Sequence, residues 1–158
     1  MSRVENGNKP RVLVFASGDK DGGGSGFREM VEYARTTPAV LNAEIVAVVS
    51  NHLNGGVRKI AKEFKIPFRH FQDKFDEKAY QDVVWRYSSD FVMLSGWLKL
   101  VKGLDPATTI NIHPGPLPAY GGSGMYGHFV HEAVIEDFKA GKITQSAVTM
   151  HFVDEEYD

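Results

Sequence analysis

Apolar side chains occupy consecutive positions in Arg11 to Ala16 (RVLVFA), in Ala43 to Ser50 (AEIVAVVS) and in Phe91 to Leu94 (FVML). Short, unbroken and rich in β-branched residues, these runs fit parallel strands covered on both faces. Between them the period changes. Phe27, Met30, Val31 and Ala34 recur at helical spacing, which predicts a helix over Phe27 to Arg35. A short helix is expected over Val57 to Phe64, stopping before Ile66-Pro67, and a third from about Asp76 to Tyr87. The pattern assigns no element to Phe68 to Phe75. A further apolar segment, Thr109 to Ile112, runs into His113-Pro114-Gly115-Pro116-Leu117-Pro118 and the glycine-rich stretch Tyr120 to Gly127, which together predict a rigid irregular loop. His128 to Lys139 predicts a helix with Val130, Ala133, Val134 and Phe138 on one face and Gly141 as its stop. Ser146 to Val153 alternates like a last strand. Strands alternating with helices through right-handed crossovers give an α/β fold: an open, mostly parallel, Rossmann-like sheet with helices on both faces.

At 158 residues the chain fits one domain and can bury roughly two-thirds of the surface its unfolded form exposes. We divide it into a flexible N-terminal segment, residues 1–10, and one folded domain, residues 11–158. No apolar run approaches the roughly 20 residues of a membrane helix, and the polar first ten residues read as neither a secretory signal nor a transit peptide. The cytoplasm is the expected location, with no membrane partner. With no cysteine in the sequence, thiolate chemistry and Cys-ligated zinc are excluded. A net charge of -2 offers nucleic acid no broad attraction, so small-molecule ligands are the better expectation.

Two constellations carry chemistry. Gly22-Gly23-Gly24-Ser25-Gly26 follows the first strand and opens the first helix, where backbone amides can approach a phosphate and the helix presents its positive end. The alternative is a merely flexible turn, which the position at the carboxyl edge of the sheet makes the lesser expectation. The loop lacks a Walker lysine, and no acidic residue follows the second strand at Ser50-Asn51, which weakens a nicotinamide-dependent dehydrogenase. The second constellation is Asn111-Ile112-His113-Pro114. Strand alternation puts the carboxamide and the imidazole on one face at the carboxyl edge of the sheet, where both could stabilise an oxyanion. In isolation such a pair more often caps a turn and satisfies a loop.

The run INIHPGPLPAYGG, however, resembles the NIHP-x-x-LP signature of folate-dependent formyltransferases of the glycinamide ribonucleotide transformylase type. HFVDEEYD at His151 to Asp158 resembles the HFV-x-x-x-x-D segment carrying that family's catalytic aspartate, and SGWLKL at Ser95 to Leu100 resembles its folate-site strand exit. GGGSGF and VVSN fall in the family's order, so the resemblance covers the chain from Arg11 onward. It implies transfer of a formyl group from 10-formyltetrahydrofolate, a co-substrate, to the amine of glycinamide ribonucleotide in purine biosynthesis, without metal or covalent intermediate. Asn111 and His113 would stabilise the oxyanion. Asp158 would keep His113 charged and, through a water, help move the proton between nitrogens. The resemblance assigns Gly24, Ser25 and Gly26 to the phosphate and Leu98, Lys99, Leu100 and Val101 to the pteridine wall. His128 would line the formyl site, while His151 either braces His113 or satisfies a backbone carbonyl. His52, His70 and His131 are read as surface or structural residues.

The sequence departs from the pattern in three places. An insertion, Asp19-Lys20-Asp21-Gly22, and Gly26 in place of an asparagine shift phosphate binding toward backbone amides and Lys20. The stretch Gly121 to Gly127 is longer than usual and resembles a divergent bacterial subgroup. The sequence also stops at Asp158, where the family adds strands and a C-terminal helix, so this piece is expected to fold marginally and to turn over weakly or not at all, as a monomer or homodimer. Related activities remain open: another folate-dependent formyltransferase, a formyltetrahydrofolate hydrolase, or a non-catalytic module that binds folate or nucleotide. Neither the Arg-Gly-Ala run of the tRNA enzymes nor the hydrolases' non-proline residue after the histidine is present.

Overall fold

The computed structural model describes residues 8–72 and 74–153. The apolar runs become β1 (Arg11–Phe15), β2 (Glu44–Ser50), β4 (Phe91–Ser95) and β5 (Thr109–His113). The helical periods become α1 (Ser25–Thr36), α2 (Gly56–Phe64), α3 (Glu77–Tyr87) and α4 (His128–Lys139). Asp76 caps α3 by accepting the Ala79 N–H.

Two strands depart from the pattern. Phe68–His70 forms β3, a three-residue strand in the segment left unassigned; it is too short to show a period and owes its conformation to pairing with β2. The last strand, β6, is confined to Thr149–Phe152 and lies antiparallel to β5. The sheet order is β3-β2-β1-β4-β5-β6, parallel except at β6.

Alternate residues of each strand feed two cores. Val12 and Val14 face Phe27, Val31, Val57 and Ile60 of α1 and α2. Leu13, Phe15 and Leu94 face Phe71, Tyr80 and Val83 on the side of α3. Helices therefore do cover both faces. The chain leaves β1 toward β2 and leaves β4 toward β5, in opposite directions, so a crevice opens at the carboxyl ends of β1 and β4, where ligands bind in open α/β sheets. On α4 the expected apolar face is not buried: Val130 alone is enclosed, and Phe138 is 59% exposed. Helical spacing reports a stripe but not whether a neighbour covers it.

Candidate active site

The strand ends lie level, Phe15 beside Leu94, Leu94 beside Asn111 and Asn111 beside His151. Ser17 clamps the first two loops together: its N–H donates to the Gly96 carbonyl at 3.1 Å and its hydroxyl accepts the Leu98 N–H at 3.0 Å. The Ser50 hydroxyl donates to the Ser17 carbonyl from the other side.

The glycine-rich loop packs backbone against backbone. The Asp19 carboxylate accepts the N–H groups of Asp21 and Gly22, which holds its carboxyl below the ordinary carboxylate value. The Gly56 N–H donates to the Gly22 carbonyl at 3.1 Å, and a Cβ at Gly56 would stand 2.3 Å from the carbonyl oxygens of Gly22 and Gly23. Gly24, with φ 88°, is the N-cap of α1 and provides no side-chain cap, and the first turn carries no acid. The amides at Ser25 and Gly26 thus begin a helix whose positive end carries neither a side-chain cap nor an acidic first-turn residue. Lys20, expected to help there, is 85% exposed beside Asp21 and does not line the cleft.

Asn111 and His113 arrive on the adjoining wall. His113 is 2% exposed, and its Nε2 donates to the Tyr120 carbonyl at 2.7 Å, so the proline-rich loop fixes the ring. His151 braces Asn111 rather than His113. Its Nδ1 donates to the Phe152 carbonyl at 3.0 Å, which makes Nε2 the acceptor for the Asn111 amide at 3.2 Å. One tautomer satisfies both bonds and orients the carboxamide. Asp158 lies outside the described residues.

Two cavities meet at this edge. A cleft of about 380 Å³ is lined by Gly24, Ser25, Gly26, Asn111 and His113. A slot of about 120 Å³ is lined by Leu98, Lys99, Leu100, Val101 and again Asn111. The slot rests on an aromatic cluster: Trp97 Nε1 donates to Tyr80 Oη, and that hydroxyl donates to the Leu100 carbonyl. Burial pushes the Tyr80 phenol up to about 12, so it remains a donor throughout the physiological range. A larger depression of about 700 Å³, bounded by Arg69, Lys74 and Arg86, sits on the α3 flank and contains no predicted site residue.

Comparison with known proteins gives this arrangement its family. The formyl transferase family model matches residues 10–158. The chain belongs to the formyl transferase family. Its relatives include the chloroplastic phosphoribosylglycinamide formyltransferases of Arabidopsis thaliana, 36% identical over 95% of this chain and 52% of that protein, and of Vigna unguiculata, 35% identical over 95% of this chain and 48% of that protein. The chain spans about half the length of these relatives. Among solved structures, the phosphoribosylglycinamide formyltransferase of Anaplasma phagocytophilum superposes with a TM-score of 0.74 at 25% identity, covering 96% of this chain and 68% of that one.

Within this formyl transferase domain, Gly24, Ser25, Gly26, Asn111 and His113 share the cleft, and Leu98 to Val101 share the slot. His128 does not join them: it is exposed, and its ring lies 4.0 Å from that of Phe129. His131, one turn further along α4, lines the cleft instead. Both histidines are exposed, and helical spacing does not tell which of them borders the cleft, because that is set by how α4 docks. Met125 and Tyr126 line both cavities and were also missed, because a loop has no period from which to read direction. Among the described residues no group of His, Asp and Glu could hold a metal ion, and no helix is long and apolar enough to cross a membrane.

Proposed function

We propose that the protein transfers the formyl group of 10-formyltetrahydrofolate to the amine of glycinamide ribonucleotide, in purine biosynthesis. The observation that carries the reading is the place of Asn111 and His113: side by side at the end of β5, in a cleft that has the uncapped N-terminus of α1 on one wall and opens toward the slot at Leu98 to Val101. The α1 amides suit the ribonucleotide phosphate, with Gly24, Ser25 and Gly26 in contact. The slot suits the flat pteridine, recognised by backbone groups of residues 98–101.

The free amine attacks the formyl carbon, forming the new C–N bond while the carbonyl electrons move onto oxygen. Asn111 and charged His113 stabilise that oxyanion. Collapse breaks the bond to N10 of the folate, and the amine proton passes to N10 through a water held by Asp158. The products are the formylated ribonucleotide and tetrahydrofolate. On the same reading the enzyme works in the cytoplasm on small molecules, as a monomer or homodimer.

The test is release of deformylated product, followed by absorbance, from 10-formyl-5,8-dideazafolate with glycinamide ribonucleotide. Turnover that needs the amine and collapses in Asn111→Ala and His113→Ala is the expected result. Folate binding without transfer would instead assign a binding module.

A further inference from the structure

Donor and acceptor of a group transfer must meet, because reacting atoms come within about 3–3.5 Å. If the acceptor occupies the cleft and the formyl folate the slot, they meet where the cavities share walls: at Trp97, Leu98, Asn111, Met125 and Tyr126. Trp97 is buried with its N–H bonded to Tyr80, Met125 is half-buried, and Asn111 already has a role. Leu98 and Tyr126 are the two exposed members, at 46% and 51%, and of these Tyr126 carries the flat ring broad enough to stand between the junction and bulk water.

The backbone holds it there. Gly122, Gly124 and Gly127 have φ of 92°, 89° and 56°, a course that side-chain-bearing residues rarely follow. The Tyr126 carbonyl accepts the Phe129 N–H at the start of α4, and the two rings meet edge to face with centroids 5.4 Å apart. A methyl built on Gly127 would lie 3.5 Å from Leu98 Cδ2, so the loop spans the junction to the wall that follows β4.

We propose that Tyr126 is a specificity-determining residue that selects the amine over water as formyl acceptor, its ring covering the junction and excluding solvent from the attacked face. The assignment rests on the function proposed above. Both competing reactions balance. With the amine, a C–N bond forms, the bond to N10 breaks and the amine proton moves to N10. With water, a C–O bond forms, the same bond breaks, a water proton moves to N10 and formate leaves.

The experiment measures formate release and formyl transfer together, from 10-formyltetrahydrofolate with glycinamide ribonucleotide, in the wild type, Tyr126→Phe, Tyr126→Leu and Tyr126→Ala. The ratio of hydrolysis to transfer should stay low in the wild type and Tyr126→Phe, rise in Tyr126→Leu, and rise about tenfold in Tyr126→Ala. Tyr126→Leu carries the test if the alanine variant does not fold. An unchanged ratio in both smaller variants overturns the assignment while leaving the transferase intact, as does an equal rise in Tyr126→Phe, which would assign the effect to the hydroxyl. A wild type that releases formate without transferring overturns this assignment and the function beneath it.

Discussion

Asn111 and His113 are polar groups whose orientation is fixed by bonds of their own, one to His151 and the other to the Tyr120 carbonyl. Preorganisation of this kind is what makes a donor effective toward an oxyanion, since no reorganisation remains for the transition state. Asn111→Ala is expected to lower kcat by about 10²–10³-fold with little change in folate affinity. His151→Ala leaves Asn111 and His113 in place but releases the carboxamide, and on the proposed mechanism should lower kcat by about 10- to 100-fold while KM changes little. Steady-state kinetics separate the two parameters, and a pure KM effect in His151→Ala would contradict the brace. Asp19 offers a pH test. Its carboxyl is lowered from 3.8 chiefly by the backbone N–H groups of Asp21 and Gly22, so its contribution to stability is present above the unfolded value and is lost as pH falls through the lowered folded value. The gap in thermal midpoint between wild type and Asp19→Asn should accordingly persist at neutral pH and close below about pH 3.8.

At the scale of elements, the glycine-rich loop depends on α2 as much as on α1. Gly56 opens α2 against the carbonyls of the glycine loop, where any Cβ would strike backbone that cannot swing aside. Gly56→Ala should destabilise the fold by about 1–3 kcal/mol, seen as a lower urea midpoint with unchanged slope. Weaker binding of inorganic phosphate should accompany it. The main strands and helices were legible from periodicity because their burial is set by sheet and helix geometry. β3 was not, since three residues contain no period, and neither was the α4 histidine that borders the cleft, His131 rather than His128.

For the whole molecule, Met150 and Phe152 on β6 and Ile135 and Phe138 on α4 present apolar side chains to solvent, and among the described residues β6 has β5 as its only strand neighbour. Apolar edge strands of this kind associate. The 158-residue chain should sediment with an apparent mass that rises with concentration, and Met150→Lys with Phe152→Lys should remove that rise without lowering thermal stability. Retention of association in the double variant would move the contact elsewhere.

By itself the sequence determined the alternation of strands and helices, the glycine-opened α1 and the Asn-x-His pair at the end of β5. All three rest on interactions local to a few residues: hydrophobic period, backbone freedom of glycine, and strand alternation. Only the tertiary structure decided that His151 braces Asn111 across forty positions, that Trp97 and Tyr80 support the slot from beneath, and that Tyr126 borders both cavities. Those relations come from strand order and loop docking, and no local spacing encodes which distant side chain the sheet will set opposite another.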